Sequence, residues 1–157
     1  MRKRRITPEP RDGRADDPGW LDLSRLCQAD LTSEDAAHPV EAALLGDGAS
    51  GWRAARPGGQ VIRLLFDEPQ SLGRVRLLFE EESRGRTQEF ALRWAADGGR
   101  QYREVVGQQY TFSPPGTTRE AEEYRGDLDG VTALDLRIIP DISGGDARAS
   151  LKQLRLG

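Results

Sequence analysis

The sequence predicts an all-β fold, a jelly-roll sandwich of about eight short strands with one short helix. Three observations predict it. Apolar residues recur at every second position in several separate stretches, the pattern of strands with one face buried. Eighteen Gly and nine Pro supply the turns that many short strands need. Only 36% of the 157 residues are hydrophobic while 31% are charged, too lean for a helical bundle but suited to strands that alternate core-facing and wet positions.

Residues 1–18 are polar, charged and Pro-rich without periodicity. They read as a flexible, disposable tail, with the domain running over 19–157. The basic cluster Arg2 to Arg5 reads as a solvated terminus. HPVEAALL at 38–45, with Pro39 near the first helical position and Gly46 as a stop, predicts the one helix. VIRLLF at 61–66 is a strand closed by Asp67-Glu68-Pro69. Val75, Leu77 and Phe79 alternate with arginines, and Phe90, Leu92 and Trp94 with Glu89 and Arg93. Asp97-Gly98-Gly99 turns the chain into strands near 102–106 and 109–112. SPPGTT at 113–118 cannot continue a ladder. The charged run 119–127 is an edge strand or an extended loop. Leu134, Leu136 and Ile138 mark a further strand, PDISGGDARA at 140–149 a long loop, and 151–156 the last strand. The expected core is Leu64, Phe66, Val75, Leu77, Phe79, Phe90, Leu92, Trp94, Leu134, Leu136, Ile138, Leu154 and Leu156.

The composition narrows function. The net charge of −3 comes from interleaved charges, so no broad basic field points to nucleic acid. No stretch approaches a membrane span, and the N-terminus lacks the apolar region of a signal peptide, so a cytoplasmic location is expected by default. The single cysteine, Cys27, permits no internal disulfide and reads as a small buried hydrophobe.

Catalytic signatures are missing. His38 is the only histidine, so any Ser-His or Cys-His pair must use it, yet its place before Pro39 suits a helix start. GDGASG at 46–51 matches a dinucleotide glycine pattern, with Asp67 downstream. A helix precedes it where a strand is required, so a tight loop explains the glycines. The chain is therefore expected not to be an enzyme. Two acidic loops offer oxygens to calcium, Asp47 in GDGAS and Asp127 with Asp129 in DLDG. The second lacks the remaining ligands and reads as a turn.

HPVEAALLGDGASGWRAARPGGQVIRLLFDEPQSLGRVRLLF, then EFALRWAADGGRQYREV, then LDLRIIPDISGGDARASLKQLRLG, resembles the discoidin domain. This is the coagulation factor 5/8 C-terminal type among the galactose-binding-like sandwiches, and the likeness covers about residues 20–157. It implies an eight-stranded jelly roll whose loops at one end bind glycans, lipid headgroups or proteins, in many members beside a structural calcium. Asp47 and Ser50 match positions of that calcium loop. Leu45 and Gln153 stand where acidic ligands are common, which removes negative charge, and no cofactor is expected beyond that possible ion. The paired cysteines of the secreted subgroup are missing.

Trp52 and Trp94 lie in or beside apolar alternation and are expected in the core. Ligand-binding candidates lie on the loops: Arg53, Tyr110, Phe112, Arg119, Asp141 and Arg148. The two long loops, 113–118 and 140–149, exceed ordinary hairpin connections and leave polar groups free. The leading expectation is a non-catalytic module recognising a carbohydrate or similar polar ligand at the loop end. The alternative is a protein-interaction domain with no small ligand.

Overall fold

The computed structural model describes residues 19–46 and 49–157, so the expected tail and Asp47 lie outside the described residues. The elements run α1 Leu23–Leu26, β1 Cys27–Leu31, α2 Glu41–Leu44, β2 Trp52–Arg53, β3 Gln60–Glu80, β4 Arg86–Ala95, β5 Arg103–Phe112, β6 Arg119–Ile139, β7 Ser150–Leu151 and β8 Gln153–Leu156. The fold is the predicted β-sandwich, with all of its strand pairs antiparallel.

Two strands are far longer than the periodicity suggests. β3 joins the segments read as 61–66 and 75–79, and β6 joins 119–127 to the strand around Leu136. Asp67-Glu68-Pro69 is exposed and does not end β3. The chain stays extended through it, and pairing with β6 resumes at Gln70–Val131 and Leu72–Leu128 after shifts of register. Such irregularities let a strand bend sharply. The first half of β3 and the second half of β6 build one layer, in the order β1-β3-β6-β4-β5. Their other halves fold over to form a second layer with β8 on the far side of β3. The layers meet face to face: Phe79 of the second packs on Phe90 of the first, ring centroids 5.2 Å apart.

The charged run 119–127 is thus a strand, paired with β3 from Arg74 to Glu80. The segments near 102–106 and 109–112 are one strand, β5, continuous through Gly107. Among the described residues two helices are present where one was expected, each a single turn; α2 starts only at Glu41, after Pro39 has accepted the Ala42 N–H. β1 escapes the sequence pattern because CQADL lies on the sheet edge and buries none of its residues fully.

Every expected core residue is buried except Trp94. Trp94 pairs in register with buried Leu134 and packs against the core, but it is not fully covered near the end of β4. Trp94 is left half-buried with the Arg103 guanidinium over its ring. Trp52 is fully buried, and its indole N–H donates to the Ser33 carbonyl at 3.0 Å. Cys27 is half-buried, and burial pushes its thiol up to about 11.

The outer face of the first layer carries a row of charges in register across five strands: Asp30, Arg63, Asp135, Arg93 and Glu104. Asp135, with its side chain wholly buried, accepts from Arg63 (3.0 Å), Arg93 (3.4 Å) and Arg137 (3.2 Å). The Tyr102 ring lies under the guanidiniums of Arg63 and Arg93.

Candidate functional site

The strand ends place four connections at one end of the sandwich: 54–59 before β3, 81–85 before β4, 113–118 before β6, and 140–149 before β7. They are tied to one another. The Glu81 N–H donates to Thr118, Ile142 to Thr87, and Gly58 to Ala147. Between them lies a groove of about 270 Å³, lined by Arg53, Arg148, Ser150, Asp146 and the 80–84 segment. A shallower depression of about 130 Å³ adjoins it, sharing Arg53, Glu80 and Ser150 and adding His38 and Ser50.

Strand alternation aims the two arginines. Trp52 and Ala54 turn inward, so Arg53 turns out; Ala147 and Ala149 turn inward, so Arg148 turns out. Arg53 pairs in register with Ser150 of β7. Two residues earlier on that chain, Arg148 is therefore the diagonal neighbour of Arg53 on the same face, within reach of a long side chain. Among the described residues neither guanidinium makes a hydrogen bond or ion pair.

Most of the acids around them are already matched. Glu80 meets Lys152 at 2.9 Å, Glu81 meets Arg86 at 2.7 Å, and Asp146 meets Arg84 at 2.9 Å. The Arg84 hydrogen bond holds the Asp146 carboxyl below the ordinary carboxylate range. Burial pushes Glu81 up, but hydrogen bonds from Arg86 and Ser83 outweigh it and hold that carboxyl low. Glu82, exposed on the rim, has no partner among the described residues.

Behind the groove a buried polar cluster fixes its walls. Arg86 donates to Glu81, to the Pro140 carbonyl at 2.8 Å and to Gln88 at 3.3 Å, and its guanidinium lies 4.9 Å from the Phe112 ring. One side chain thereby joins the 81–85 and 140–149 connections to the end of β5. Gln88 passes the chain on to Glu120 at 3.2 Å. Burial, with Glu122 beside it, pushes the Glu120 carboxyl up to about 8.

The structure brings Arg53 and Arg148 together but not the other candidates. Tyr110 packs edge-on against buried Phe112 and donates its hydroxyl to the Arg119 carbonyl at 2.8 Å, away from the groove lining. Arg119 is exposed and pairs in register with Glu80. Asp141 accepts from the Ser143 N–H and hydroxyl, bonds that lower its carboxyl, and stands above the start of β4. Ser50 lies in the adjoining depression with His38, whose Nδ1 is 3.7 Å from Asp35, beyond hydrogen-bond length. The calcium loop is described only in part. The Gly46 carbonyl accepts from Arg155 at 2.9 Å, Leu45 is exposed, and no cluster of three acidic, histidine or cysteine ligands exists among the described residues. Asp127 and Asp129 lie at the opposite bend, where Asp129 accepts from Ser71.

Sequence reasoning missed Arg84, Arg86, Asp146 and the glutamates of 80–82. Arg86 left a signal: it shares the inward phase of Gln88, Phe90 and Leu92, where an arginine needs a buried partner.

No protein-family model matches the sequence, and neither does any curated protein. Solved structures do. CBM32-3 from a family 31 glycoside hydrolase of Clostridium perfringens aligns with a TM-score of 0.64 at 18% identity, over 87% of this chain and 93% of that one. A family 32 carbohydrate-binding module from C. perfringens NanJ, in complex with galactose, gives 0.62 at 13% identity, over 87% and 96%. A pectin-binding carbohydrate-binding module gives 0.62 at 14% identity, over 85% and 91%. The chain shares their fold. That fold is a β-sandwich of the jelly-roll kind, the architecture that the discoidin resemblance implies. Among the described residues no helix is long and apolar enough to cross a membrane.

Proposed function

We propose that the chain is a non-catalytic carbohydrate-binding module whose ligand enters the groove between the loops. The observation that carries this reading is the pair of guanidiniums, Arg53 and Arg148, which make no hydrogen bond or ion pair among the described residues and lie on one face within a cleft of about 270 Å³. The fold supports it, since the three structural neighbours named above are carbohydrate-binding modules. Sugars are held by fixed, planar hydrogen-bonding groups, and arginine offers five donors in a rigid fork. The sheet faces are taken up by packing and by the charge row on Asp135, which leaves the loop end free for a ligand.

A glycan array followed by calorimetry tests the proposal. Binding to at least one glycan is expected, weakened about tenfold or more in Arg53→Ala and Arg148→Ala proteins shown to be folded. A protein that captured no glycan would overturn it. One observation favours a second reading, a protein-interaction domain. No exposed aromatic ring lines the groove among the described residues, because Trp52 is buried. Affinity capture with the groove variants as controls tests that role.

A further inference from the structure

Resting on the reading of a carbohydrate-binding groove, we infer that its ligand is an acidic sugar, a uronic acid whose carboxylate is held between Arg53 and Arg148. The inference comes from which charges in the groove are already spent. Glu80, Glu81 and Asp146 are each neutralised by a cation at 2.9 Å or less. The groups left over are two guanidiniums and, on the rim, the Glu82 carboxylate. A neutral sugar placed there adds no negative charge to two exposed guanidiniums, of which only Arg148 has an acid, Asp35, near enough to feel it. A carboxylate compensates them, and its planar pair of oxygens matches the guanidinium fork.

The backbone places this pair side by side. Arg53 and Arg148 rise from adjacent antiparallel stretches joined by the Ala54-to-Ala149 hydrogen bond at 2.9 Å, and small alanines beneath them keep the ribbon close to the core. The rest of the lining distinguishes a sugar acid from a bare anion. Glu82 accepts from hydroxyls, and Ser150 both donates and accepts, so the groove offers partners to the hydroxyls of the same ring that bears the carboxylate. A phosphate or sulfate has no use for those acceptors and is repelled by them.

The test is calorimetry with oligomers of galacturonate, glucuronate and mannuronate, each beside its methyl-esterified form, with neutral galacto-oligosaccharides and dextran sulfate as controls. The expected result is binding of one uronate oligomer. That binding falls at least about tenfold on esterification and by a similar factor in Arg53→Gln or Arg148→Gln, while the melting temperature is unchanged. Equal affinity for the esterified or neutral oligomer, equal affinity for dextran sulfate, or indifference to both substitutions overturns the inference. If the uronates fail but the array yields a neutral glycan, the carbohydrate reading stands and this inference falls. If no glycan of either kind binds, both fall.

Discussion

Arg86 shows how one side chain can decide the shape of a loop end. Its guanidinium is buried, bonded to Glu81 and to the Pro140 carbonyl, and covered by Phe112. Removing one partner of a buried pair leaves the other charge without compensation. Arg86→Leu is therefore expected to lose about 3–5 kcal/mol of stability in urea unfolding. Arg86→Lys keeps the charge but cannot reach Glu81, Gln88 and Pro140 together, and is expected to lie between the two. Glu120, at the other end of the same cluster, carries a pH dependence. Its folded carboxyl titrates near 8, above its unfolded value, so between those two values the native state holds a proton that the unfolded state has released. Stability is then highest in mildly acidic solution and declines as pH rises toward about 8. Glu120→Gln should flatten that decline and be more stable at pH 9 by on the order of 1 kcal/mol. Parallel urea titrations of both proteins from pH 5 to 9 check it.

At the scale of elements, period-two alternation identified parts of β3, β4 and β6, because side-chain direction is a local property of extended backbone. It did not identify where strands end. Asp67-Glu68-Pro69 carries turn chemistry, but β3 pairs with β6 on both sides of it, a partner more than 60 residues away that no local window contains. Trp94 keeps the inward phase that alternation assigns it, and only its incomplete burial near the strand end was not legible. The charge row on the first layer is also written in these registers. Each of its members looks like an ordinary wet position in its own strand, and only the pairing aligns them around Asp135. Asp135→Asn is expected to cost about 3 kcal/mol, because three arginines lose their shared acceptor in a buried setting. Asp30→Asn, at the exposed end of the row, should cost less than about 1 kcal/mol. Thermal melts of the two variants separate these outcomes.

For the molecule as a whole, the sandwich and its loop end were legible, and the contents of the groove were legible only in part. Arg53, on the short strand β2, and Arg148, on the long loop before β7, stand out as long cationic side chains flanked by inward-facing small or aromatic residues. The matching of Glu80, Glu81 and Asp146 to their cations was not visible, because each pair except Glu81–Arg86 joins segments distant in sequence. The two strands that cross both layers have a further consequence, for the time the chain takes to find its structure. β3 and β6 are each 21 residues long, and their halves cannot be assembled as separate hairpins: pairing them closes the stretch from Glu80 to Arg119 at one end and from Gln60 to Ile138 at the other. Long closures of this kind are made before most of the burial that rewards them, which slows barrier crossing. Refolding from urea is expected on the scale of about milliseconds to seconds, as for other sandwiches dominated by distant pairings. Leu134→Ala and Leu77→Ala, placed in different layers on strands that span both, should then shift the same single transition rather than melt one layer alone. Stopped-flow fluorescence of the tryptophans would reveal two separable phases if the layers assembled independently.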